Sequence, residues 1–184
     1  MAAVSIDLRL LGRPYAERDH EPVDLPAKAL ALLGYLAAAP GAQPRERILG
    51  LLWGESAEEA ARKNLRNTLW AIRKALGEDA VLAQGDRLAL GAQVDADVHR
   101  LSQHPLDDPA GLLALYRGPF LDGLTLSEAP EFELWLSAAR ESYAQAFFAR
   151  ANDALAALAE GGEWGEVAAL ARGALRQDPL NEAL

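Results

Sequence analysis

The chain contains no cysteine, which excludes disulfides and thiolate metal sites. Its three histidines, His20, His99 and His104, lack metal-ligand spacing, so neither metal nor other cofactor is expected. No run reaches the ~18 uncharged apolar residues that a spanning helix needs, so no membrane partner is expected. The opening MAAVSIDLRLLG has no basic stretch leading into an apolar one and is no signal peptide. Serine and threonine are sparse and 51% of residues are hydrophobic, which argues against disorder. The expectation is a soluble cytoplasmic protein. Motifs of catalysis are missing too: there is no GK[ST] phosphate loop, no GxSxG and no HExxH. Asp95 and Asp97 stand two apart without a nearby histidine and read as polar contacts at a domain junction. No enzyme is expected.

What is present is an uneven distribution of charge. The formal net charge is -9, yet residues 1–98 hold 12 Lys and Arg against 14 acids, while residues 99–184 hold 6 against 13. Within the nearly neutral first half, Ala61 to Gly77 carries five basic residues and no acid. Cations gathered on one regular element mark a surface for a polyanion, whereas the acidic second half would be repelled by phosphates.

The first half reads as strands, three helices and a closing hairpin. Val4 to Leu11 alternates as a strand, Gly12, Arg13 and Pro14 turn the chain, and Pro22 to Leu25 reads as its short partner. Pro26 opens a helix running to about Ala39, and Pro44 opens a second at its first position. Ser56 to Glu59 has the form of a capping box ahead of a third helix over Ala57 to Leu76. Val81 to Ala83 and Arg87 to Leu90 form the hairpin, turning at Gly85-Asp86. This order is a winged helix-turn-helix (α+β) over residues 1–93. From Val94 a second composition begins, with no Gly/Ser linker before it. A short helix over Pro109 to Tyr116, a long one from Pro130 or Glu131 to the Gly161-Gly162 break, and another over Glu163 to Arg176 predict an all-α tetratricopeptide-like domain over 94–184. Asp178-Pro179 reads as yet another helix start, so the chain is expected to continue beyond Leu184.

At 100° per residue, Ala61, Leu65, Leu69, Ile72 and Leu76 fall on one side of the third helix and face the core. Lys63, Asn67, Trp70 and Lys74 lie opposite, with Arg62, Arg66 and Arg73 along one flank. Long cations beside an Asn combine phosphate anchoring with base-edge chemistry. Trp70 on this polar face reads as covering a strand, stacking on sugar or marking a protein contact. Arg45 and Arg47 open the second helix as phosphate clamps, and Arg87 stands at the wing. A solvated basic face gives the same pattern in isolation; the short preceding helix and following hairpin favour DNA.

LLGYLAAAPGAQPRERILGLLWG followed by ARKNLRNTLWAIRKALG resembles the OmpR-type winged helix of the SARP-like bacterial transcriptional regulators. VDADVHRL, LYRGPFLDGL, ELWLSAARESY and GEWGEVAALARGALRQDPLNEAL resemble their bacterial transcriptional activator domain. The resemblance places the family's LWG turn at Leu52-Trp53-Gly54 and its recognition helix at Arg62 through Leu76. Ala71 stands where the family frequently has Arg, which removes one expected contact. The resemblance implies a sequence-specific regulator that activates transcription from double-stranded promoter DNA. RNA polymerase is a further implied partner, as is a second copy through dimerisation or tandem binding on repeated sites. With the chain starting at Met1, no phosphoacceptor receiver domain is expected before the winged helix. The alternative is a protein-interaction adaptor, or the regulatory head of a larger ATPase-containing protein, with weak or no DNA binding.

Overall fold

The computed structural model describes residues 5–178. Val4 and the helix expected from Pro179 onward lie outside the described residues. Strand β1 (Ile6–Arg9) pairs antiparallel with β2 (Tyr15–Arg18), which pairs antiparallel with β3 (Glu21–Val23). The partner strand expected at Pro22 to Leu25 is therefore β3, and it meets β2 rather than β1. Strand β2 has no mark in the sequence because its turn, Asp19-His20, contains no glycine, yet both residues adopt positive φ, 53° and 67°. Asp and His enter that region more readily than most other side chains.

Helix α1 (Ala27–Ala38) follows and is buried along most of its length. Pro44 belongs to the two-residue strand β4 (Gln43–Pro44) and precedes helix α2 (Arg45–Trp53), so it caps the helix rather than opening it. The reason is its pairing with Arg87, since Pro44 has extended backbone, ψ 136°. Helix α3 (Glu58–Leu76) begins one residue later than expected. Ala57 is its N-cap: the Ala61 amide donates to Ala57 O, and Ser56 is instead held in a turn, its amide donating to Trp53 O. The capping box of Ser56 and Glu59 does not form, and no side chain caps this end. A 3-10 turn (Glu78–Ala80) leads to β5 (Val81–Gln84) and β6 (Arg87–Leu90), the expected hairpin turning at Gly85-Asp86. Together β4, β6 and β5 form the second sheet.

Strand β7 (Val94–Ala96) pairs parallel with β1 and completes the first sheet in the order β3-β2-β1-β7. Helix α4 (Asp97–Leu101) follows at once, then α5 (Pro109–Leu115), the 31-residue α6 (Pro130–Glu160) and α7 (Trp164–Gln177). At 1.5 Å per residue, α6 is roughly 46 Å long. The chain is thus a winged helix-turn-helix followed by a helical domain.

The two regions share a continuous core. The loop after α5 runs beside the end of β1: Leu121 donates to Leu10 O at 2.8 Å, and Gly12 to Pro119 O at 3.0 Å. Arg140 on α6 secures that loop by donating to the carbonyls of Phe120, Leu121 and Leu124 at 3.0, 2.8 and 3.2 Å. Trp135 meets Tyr35 of α1 edge-on, with ring centroids 5.2 Å apart. Asp97 is the buried polar group of this junction. Its carboxylate accepts from the Leu10 amide at 2.9 Å and the Leu11 amide at 3.0 Å, and lies 3.5 Å from Arg117. Burial pushes its pKa up, opposed by the Leu11 and Leu10 amides and by Arg117 and Arg9. Asp95, by contrast, is exposed and pairs with Arg100, so the two acids do not share a site.

Candidate nucleic-acid interface

Helix α3 is held by the apolar side that its periodicity predicts. Ala61, Leu65, Leu69, Ile72 and Leu76 are all buried, at 5% exposure or less. Burying such side chains stabilises by about 1.5–3 kcal/mol each for the larger ones, so the rotation of the helix about its axis is fixed. The opposite side is thereby committed to solvent: Arg62, Lys63, Arg66, Asn67, Trp70 and Lys74 are exposed.

These residues are not equivalent. Lys63 and Arg66 make no ion pair among the described residues, which leaves both charges available. Arg62 pairs with Glu58 one turn earlier. Arg73 is half-buried, with its Nε 3.6 Å from Glu78 and its Nη2 donating to Val81 O at 3.4 Å. Lys74 lies over the Trp70 ring, 4.9 Å from its centroid. Trp70 itself is 64% exposed, so it covers no strand.

Other elements bring further groups to the flank of α3. Arg45, the first residue of α2, is half-buried and joins Arg62 and Arg66 around a cleft of about 730 Å³ floored by Leu49, Trp53 and Leu65. Its amide donates to Asp86 O at 2.8 Å, which ties the wing turn to the start of α2. Arg87 is exposed on the wing, its Nη1 donating to Ala42 O at 3.1 Å. Arg47 is separated from this group. Two residues on from Arg45, it turns by about 200° around the helix. It lies beside Tyr35 and lines a different cleft with Leu134 and Trp135 of α6.

One neighbour of the site has no mark in the sequence pattern. Lys28, in the first turn of α1, lines a shallow cleft with Asn64, Asn67 and Thr68 on the far flank of α3. Its Nζ donates to Leu52 O at 2.8 Å and lies 3.2 Å from Glu128 of the helical region. Nothing local distinguishes it from any solvated lysine, because its surroundings come from segments more than 20 residues away.

The comparisons agree with this architecture. Residues 106–184 match the family described as the bacterial transcriptional activator domain. No curated protein matches the chain. Among solved structures, Mycobacterium tuberculosis EmbR in complex with a low affinity phosphopeptide is similar, with a TM-score of 0.60 at 19% identity. The match covers 85% of this chain and 48% of that one, so the chain spans about half the length of EmbR. At that identity the likeness is one of fold. The chain is thus a winged helix followed by a helical region, of which residues 106–184 match the bacterial transcriptional activator domain.

Proposed function

We propose that the chain binds double-stranded promoter DNA sequence-specifically and activates transcription from it. The observation that carries the reading is the outward side of α3. Lys63, Arg66, Asn67, Trp70 and Lys74 stand exposed on a helix whose other side is locked into the core. In a winged helix-turn-helix this is the element that enters the major groove. Cations position the duplex through its phosphates, while Asn67 offers the bidentate donor and acceptor that read adenine. Arg45 and Arg62 flank the groove-facing side, Arg87 extends it on the wing, and Arg73 supports it from the helix end. Arg47 is a contact only for DNA that wraps toward α6.

In this reading residues 1–93 carry the DNA contacts, and residues 94–184 keep their acidic surface away from the duplex and turned to protein partners. RNA polymerase and a second copy on a repeated site are the partners that fit, and the setting is the cytoplasm. The adaptor alternative draws on the helical region, where Leu134 and Trp164 are 71% and 66% exposed. Fluorescence anisotropy with a pool of randomised labelled duplexes at two salt concentrations separates the readings. The DNA reading predicts binding that weakens steeply with salt and is lost in K63A/R66A/K74A. Absent or salt-independent binding, unchanged in that variant, favours the adaptor.

A further inference from the structure

Beside the outward ridge of α3 there is a second cleft, of about 580 Å³, between the start of α2 and the last turns of α3. Arg45, Arg66, Arg73 and Lys74 line it against a single acid, Glu78, and the indole of Trp70 stands in its wall. Four cations facing one carboxylate make it a seat for an anion. Arg73 is already engaged by Glu78 and Val81 O, which leaves Arg45, Arg66 and Lys74 for a ligand. The indole is a flat apolar face, 64% exposed, with the Lys74 ammonium 4.9 Å from its centre. A ligand that satisfies both features carries a negative charge next to an apolar ring-sized body.

Base edges do not meet that description. They present neutral donors and acceptors, and indole has one donor and no acceptor with which to answer them. A deoxyribose with its 3′ or 5′ phosphate does: the sugar offers C–H surface to the ring, and the phosphate meets the cations. The angular position agrees. Arg66 lies about 80° from the ridge opposite the core, on the flank where a groove-bound helix passes the phosphate strand, and Trp70 lies about 40° from it on the same side. Lys63, Asn67 and Lys74 lie within about 20° of the ridge, and of these only Lys74, at the helix end, also lines the cleft.

We propose that Trp70, with Arg45, Arg66 and Lys74, seats one sugar-phosphate unit of the DNA backbone, so that Trp70 supplies affinity without reading sequence. This rests on the DNA-binding reading above and divides its residues into two groups: the cleft positions the duplex, and Asn67 discriminates among bases. The division is tested with selection from a randomised 30-base-pair duplex pool, followed by affinity measurement on the enriched duplex and on unselected pool. Replacing Trp70 by Ala is expected to weaken both by a similar factor of about ten, from the lost apolar contact. The enriched motif stays the same, and Trp70→Phe recovers most of the affinity. Asn67→Ala, in contrast, relaxes one position of the motif. Inorganic pyrophosphate is expected to compete only at millimolar concentration, because it lacks the sugar.

A motif that loses information at one position in Trp70→Ala would overturn the proposal by making the indole a base reader. Unchanged DNA affinity in Trp70→Ala would overturn it in favour of a protein contact. Tight pyrophosphate binding insensitive to Trp70→Ala would overturn it by making the cleft a free-anion site. A wild-type chain that enriches no duplex and binds none at low salt refutes the DNA-binding reading itself, a result separate from the other three.

Discussion

Replacing Asp97 by Ala is the sharpest test of how the two regions are joined. The carboxylate is 1% exposed and accepts from the amides of Leu10 and Leu11, at the point where β1 leaves its sheet. Removing it leaves two buried N–H donors without an acceptor, each worth about 1–3 kcal/mol. Arg117 adds less, because 32% of its side chain remains in solvent. The expected loss is about 2–5 kcal/mol, most of it from the two amides. For a chain of this size that lowers Tm by roughly 5–20 °C. Urea unfolding of wild type, Asp97→Ala and Asp97→Asn measures it, with Asn falling between because its carbonyl keeps one acceptor. A loss below about 1 kcal/mol for Asp97→Ala would refute the anchoring role.

The same residue gives a pH dependence of defined sign. Burial holds the folded-state pKa above the ordinary 3.8, so the folded chain takes up this proton more readily than the unfolded one. The associated stability is full below the ordinary value and is lost as pH rises through the raised one. The stability of wild type relative to Asp97→Asn is therefore expected to grow as pH falls from neutral toward about 4. A difference that is flat or shrinks over this range contradicts the assignment.

Three further outcomes follow from packing and hydrogen bonding. Arg140→Met strips three carbonyls of the loop after α5 of their donor and is expected to cost about 2–4 kcal/mol in urea unfolding. Gly173 sits where a Cβ would lie 2.4 Å from the end of the Leu113 side chain, which can turn aside, so Gly173→Ala is expected to change stability by less than about 1 kcal/mol. Trp70→Ala is expected to change stability by less than about 0.5 kcal/mol, because its side chain is mostly in solvent.

The parts of the fold that repeat with a helical period were legible in the sequence. Leu65, Leu69, Ile72 and Leu76 are buried where their spacing puts them, and α6 starts and stops at Pro130 and the Gly161-Gly162 break. Elements defined only by their partners were not. Strands β4 and β7 have two and three residues, too few for alternation to register, and exist because β6 and β1 lie alongside them. The capping box failed on a one-residue shift that the Trp53–Ser56 turn imposes. At the interface, the sequence marked which residues point outward. It carried no sign that Arg45 joins the α3 flank while Arg47 turns toward α6, or that Lys28 stands on the other side. Those placements depend on how α1 and α2 cross α3.

The central claim is that the outward side of α3 docks on duplex DNA, and the salt dependence of binding tests it most directly. Plotting log Kobs against log salt for wild type and for K63A/R66A/K74A counts the phosphates that these three cations neutralise. At about 0.9 per contact, the account predicts a slope shallower by roughly 2–3 in the triple variant, together with weaker binding at every salt concentration. Equal slopes for the two proteins would contradict it.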